Sequence, residues 1–147
     1  MGAITHGLID ACTSYGTLLY WPISHHRESW DIISIIDPIF TLPLALLTVI
    51  AFVFRRPRFA QYAVALCLIY LSLGSYQRGQ ATQFAAQIAE ERGHESEELS
   101  VRPSLANILL WRIVYRSGDQ YYVDALRTTP FSDPKQYPGS IVDAFSE

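Results

Sequence analysis

The sequence has 147 residues; half are hydrophobic, 13% are aromatic and only 17% are charged. A soluble domain ordinarily carries about 25% charged residues, so the composition points to a membrane protein. The net charge of −3, with no basic stripe outside one short loop, excludes a nucleic-acid-binding chain.

The mean hydropathy of +0.13 is too low for a uniformly apolar chain, and the charges are segregated. Residues 1–76 hold four basic and four acidic side chains, residues 77–147 seven and ten. The two cysteines, Cys12 and Cys67, form no C-x-x-C pair and read as small buried hydrophobes. The first twenty residues lack a basic start and place His6 and Asp10 within an apolar stretch, so no cleavable signal peptide is expected.

In chain order, "ITHGLIDACTSYGT" comes first. His6 and Asp10 are four apart and share a face if the segment is helical. The same spacing fits either a hydrogen-bonded helix pair or two ligands of one metal ion. His25 and His26 are adjacent and read as solvated loop histidines. Arg27 suits a substrate phosphate or carboxylate through its planar fork, and suits equally a pairing with Glu28 or Asp31 or a lipid phosphate. Asp37 immediately precedes Pro38, the pattern of an N-cap followed by proline at the first helical position.

Two apolar runs follow, residues 38–54 and 59–76, each near the length that spans a bilayer. "RRPR" (Arg55, Arg56, Pro57, Arg58) lies between them, and its three arginines place that loop on the cytoplasmic side. Tyr20, Trp21, Trp30 and Tyr76 flank the runs, where aromatic rings suit the headgroup region. The expected fold is mainly α and integral to the membrane. It comprises two transmembrane helices in a hairpin after a short metal-motif helix, and a small α+β domain outside the membrane, on the periplasmic side in a bacterium.

Beyond Tyr76, Ala81, Phe84, Ala85 and Ile88 keep helical spacing, so the second helix continues out of the membrane to a stop near Gly93. "HESEE" reads as a solvated loop, with His94 outside any chemistry. "ELSVR" is a short strand ending at Pro103. "ILLWRIVYR" and "QYYVDALR" alternate around a "SGD" turn, predicting a β-hairpin with Trp111, Ile113 and Tyr115 on one face. The final eighteen residues, rich in proline, serine and aspartate, read as loop. The organisation expected is 1–36 for the metal-motif and interface segment, 37–76 for the hairpin, 77–129 for the α+β domain and 130–147 for the tail.

Taken together, "HGLIDACTSYGTLLYWPIS", Arg27 and "IIDPIFTLPL" resemble the C-terminal half of the membrane-bound metal-dependent hydrolases of the bacterial inner membrane, some of them under SOS-repressor control. The resemblance extends to about residue 127. It implies an inner-membrane hydrolase with a divalent metal, zinc by preference, held by His6 and Asp10. Arg27 and Asp37 are then catalytic candidates, and Thr13, Ser14 and Thr17 line the site. Metal-activated water would attack a phosphoester or acyl substrate. That family also carries P-D-x-D and H-R-G-x-T-H segments upstream, and neither occurs in these 147 residues. Catalytic zinc uses three protein ligands and a water, so the resemblance implies an incomplete centre, completed by a separate N-terminal half or by a homo-oligomer. The alternative expectation is a non-catalytic, membrane-anchored protein-interaction module.

Overall fold

The computed structural model describes residues 7, 9–18, 23–25, 29–34, 36–95, 97–129 and 132–144. The N-terminal segment is helical at 9–11 and is then stitched to the segment before the first long helix. Trp30 N–H donates to the Ala11 carbonyl, Ile32 and Ile33 donate to that of Cys12, and Thr13 bridges to Ile33 in parallel.

Helix α1 spans Pro38–Val53. Its start follows from sequence: Asp37 is extended, Pro38 supplies a pre-set φ, and the Asp37 carboxylate accepts from the Phe40 N–H at 3.2 Å. Helix α2 runs from Pro57 to Glu91 and packs along α1. It ends in a Schellman motif: Gly93 takes φ +70, its N–H donates to Glu90, and the His94 N–H reaches back to Ala89.

Four strands follow, β1 (Glu97–Pro103), β2 (Leu110–Ser117), β3 (Gln120–Thr129) and β4 (Ser132–Asp143), in an antiparallel meander of order β1-β2-β3-β4. Gly118, at φ +58, makes the β2–β3 turn. The inward face of β2 carries Trp111, Ile113 and Tyr115, all fully buried. With Val101 and Leu126 they close over Ala81, Ala85, Ile88 and Ala89 of α2. The alanines matter because their small side chains let the helix lie close to the sheet. Trp111 Nε1 donates to Thr128 Oγ1 at 2.8 Å, satisfying its one polar atom inside the core.

A second, smaller cluster joins Cys12, Ile33, Phe40 and Ile108, with Tyr70 and Leu71 of α2 packed against it. Gly74 is required there, because a Cβ would lie 2.9 Å from the Ile32 carbonyl oxygen.

Two expectations are corrected. The chain is not a mainly α, two-span protein. Among the described residues only Pro57–Glu91 is long and apolar enough to cross a membrane, and a four-stranded sheet forms the C-terminal part. At 16 residues, α1 rises about 24 Å, short of the ~30 Å hydrocarbon core. The stretch read as a loop-like tail contains β4, which pairs with β3 from Gln120↔Asp143 to Thr129↔Ser132. The β2–β3 hairpin, the strand near 98–102, and the helix continuing past Tyr76 are found as expected.

Candidate functional site

The N-terminal block comes first, because the sequence places its candidates there. His6 and Arg27 lie outside the described residues. Asp10 sits half-buried at the end of the short helical stretch, where its backbone carbonyl accepts from the Thr13 N–H at 3.0 Å and the Thr13 hydroxyl at 2.7 Å. Nearby, the buried Ser14 hydroxyl has no hydrogen-bond partner among the described residues.

Asp37 is buried and both its oxygens are engaged. Oδ1 caps α1, and Oδ2 accepts from the Tyr70 hydroxyl at 2.6 Å. The carboxylate therefore fixes the start of α1 to the middle of α2. Among the described residues no three His, Cys, Asp or Glu side chains gather as metal ligands. A catalytic zinc centre needs three protein ligands; of the candidates, Asp37 is committed to the cap and to Tyr70. Burial first, and Cys67 second, push the Cys12 thiol above its usual range.

A different group of side chains converges where α2 meets the sheet. Arg92, the C-cap of α2, places Nη1 2.8 Å from Asp124 Oδ2 and 3.0 Å from the Tyr115 hydroxyl. Asp124 is buried, and its remaining contacts come from the β4 side: Gly139 N–H donates to Oδ1 at 3.0 Å and Gln136 Nε2 to Oδ2 at 3.3 Å. A buried carboxylate is tolerable only when compensated in this way. Burial works against the Arg92 charge, but the hydrogen bond to Tyr115 and the pairing with Asp124 outweigh it, and the guanidinium pKa is raised.

His94 follows at the position that the Schellman motif sets. Its Nδ1 lies 3.1 Å from the Tyr115 hydroxyl, and its ring packs at 4.4 Å on Tyr122, which stacks on Tyr115 at 5.2 Å. Arg92, His94, Tyr122 and Asp124 form one wall of an open cavity of about 410 Å³, and Pro138–Ile141 of β4 form the other. The cavity offers a cation, an imidazole and an aromatic face.

The sequence did carry a signal for this site. Tyr122, Asp124 and Leu126 alternate on one face of β3, and a carboxylate on the buried face of a strand requires a partner. That the partner is Arg92, thirty-two residues earlier, comes from topology alone.

The YdjM inner membrane protein family matches residues 1–81, more than half of the chain. The chain belongs to this family. The match covers the N-terminal block, α1 and the apolar part of α2, so an inner-membrane protein is established. It carries no hydrolase activity with it. No curated protein and no solved structure matches the chain. The sheet and its cavity lie beyond the family match.

Proposed function

We propose that this member of the YdjM inner membrane protein family is a membrane-anchored interaction module rather than a self-sufficient hydrolase. The observation that carries this reading is the continuity of α2. Its apolar part is long enough to cross a bilayer, and the same unbroken helix ends packed against one face of the sheet, where Ala81, Ala85, Ile88 and Ala89 are buried. A ligand or partner engaged by the sheet is thereby held rigidly at the membrane surface.

Arg55, Arg56 and Arg58 precede or begin α2 and favour the cytoplasmic face, which puts the sheet and its cavity on the periplasmic side. The cavity suits a partner group that accepts hydrogen bonds from Arg92 and His94 while resting a flat surface on Tyr122.

The test uses the full chain expressed in a bacterial inner membrane. The membranes are washed with alkaline carbonate, and single cysteines placed at exposed sheet positions such as Arg112 are labelled with an impermeant reagent in intact spheroplasts. Resistance to extraction with labelling from outside supports the reading; release by alkali, or labelling only after lysis, overturns it. Metal content of the purified chain separates it from metal-dependent hydrolysis. Near-stoichiometric zinc or manganese that disappears in His6→Ala would return the hydrolase; no such metal is expected.

A further inference from the structure

A groove between α1 and α2 has no part in the cavity chemistry. It is lined by Leu44 and Thr48 of α1, by Ala60, Val64, Leu68 and Leu71 among the α2 residues and by Ile9 before α1, and it is an open groove of about 550 Å³. Its one hydroxyl, on Thr48, already donates to the Leu44 carbonyl at 2.7 Å, so the occupant needs no hydrogen-bonding group. From Ala60 to Leu71 the helix rises about 16 Å, the depth of one leaflet, half of the ~30 Å hydrocarbon core.

The end of the groove near Ala60 opens towards the α1–α2 turn, where Arg55, Arg56 and Arg58 are exposed. At that turn Arg56 lines a hollow with Ile50, Phe54 and Phe59. No acidic residue occurs between Asp37 and Glu90, so nothing local in sequence neutralises these charges. An apolar slot one leaflet deep with cations at its mouth has the chemistry of an anionic lipid.

We infer that the groove holds one acyl chain of an anionic diacyl phospholipid, with the headgroup phosphate on Arg56 and Arg58. A second copy of this chain is disfavoured as the occupant. Two copies inserted in the same direction would set their arginine turns side by side, and like charges repel. A lipid phosphate neutralises them instead, and basic segments at the cytoplasmic leaflet attract anionic headgroups. This inference rests on the membrane-anchored reading above.

The test is native mass spectrometry of the full chain in mild detergent, titrated with phosphatidylglycerol or with phosphatidylcholine of identical acyl chains. One phosphatidylglycerol should be retained at a concentration roughly ten-fold or more below that needed for phosphatidylcholine, given two arginine contacts. The Arg56→Gln/Arg58→Gln double variant should abolish the preference. Ala60→Phe, which obstructs the groove and keeps the charges, should weaken retention of both lipids. Near-ultraviolet circular dichroism, to which the buried Trp111 and Tyr115 of the remote sheet contribute, verifies that each variant is folded. Equal retention of the two lipids, retention unchanged in both variants, or a dimer in place of the bound lipid overturns the inference. A chain that resists alkali but shows no selectivity overturns this proposal alone; a chain that alkali releases overturns the anchoring as well.

Discussion

The two parts of α2 meet different surroundings. Along residues 60–71 the helix presents Tyr62, Val64, Leu68 and Ile69 outward, each at least 58% exposed, and α1 beside it presents Leu42, Leu46 and Phe52 in the same way. Along residues 81–89 the apolar positions turn inward, with Ala81 and Ala85 wholly buried under Trp111, Ile113 and Tyr115. Burial of apolar surface within the protein contributes about 25 cal/mol per Å² removed from water. The sheet half is held by that internal burial. The apolar half has little of it and depends on lipid or detergent to keep its surface from water. One helix therefore connects a part stabilised by its own packing to a part stabilised by its solvent.

Substitutions should divide along the same line. The largest effect is expected for Trp111→Ala, which empties the core centre and removes the donor to the Thr128 hydroxyl. A loss of about 3–5 kcal/mol should appear as a marked fall in the thermal midpoint of the detergent-solubilised chain, followed by near-ultraviolet circular dichroism, while alkali resistance of the membrane form persists. If both were lost together, the two parts would be one cooperative unit.

Asp37→Ala comes next, because it removes the α1 cap and leaves the Tyr70 hydroxyl without its acceptor. The expected cost is about 2–3 kcal/mol, read as earlier proteolysis around the N-terminal segment with the sheet signal intact. Tyr70→Phe, which keeps the cap, should cost less than Asp37→Ala; equal losses would mean that the cap contributes nothing.

Gly139→Ala should cost about 1–3 kcal/mol, since the new Cβ would run into the Val123 carbonyl and push β4 from β3. Hydrogen exchange confined to Gln136–Val142 and its β3 partners is the expected signature. The smallest effect is expected for Phe52→Ala. That side chain is 84% exposed, so its loss should change stability in detergent by less than about 0.5 kcal/mol. A larger change would show that α1 makes contacts within the protein that its exposure does not indicate.

Much of the sheet half was legible because its signals are local. The alternation of Trp111, Ile113 and Tyr115 against Arg112 and Val114 marks a half-buried strand, and Gly118-Asp119 marks its turn. The Asp37-Pro38 pair likewise announced the start of α1. The fourth strand was hidden, since Pro134, Pro138 and several polar residues depress its strand propensity. β4 is an edge strand in which proline is tolerated, and its pairing to β3 is what makes it a strand.

The first of the two expected membrane spans was over-read for the opposite reason. The apolar character of 38–54 is local, but Phe54 and Arg55 end the helix at the turn, Arg55 with φ +51, so α1 closes below spanning length.

The site follows the same rule. Asp37 attracted attention as an ionisable group near the membrane, yet its acceptor capacity is used by Phe40 and Tyr70. Arg92 and Asp124 drew none, and His94 was set outside any chemistry although it lines the cavity, because no short motif joins them.

By itself the sequence determined where apolar and polar chain separate, where α1 begins, that α2 outlasts its apolar stretch, and which face of β2 turns inward. Each of these rests on residues within a few positions of one another. Only the tertiary structure decided that the end of α2 packs against the sheet, that β4 completes the meander, and that Arg92 meets Asp124 over a cavity. Those arrangements join residues tens of positions apart, and the free energy that selects them, burial of a shared core and compensation of a buried charge, exists only once the chain has folded.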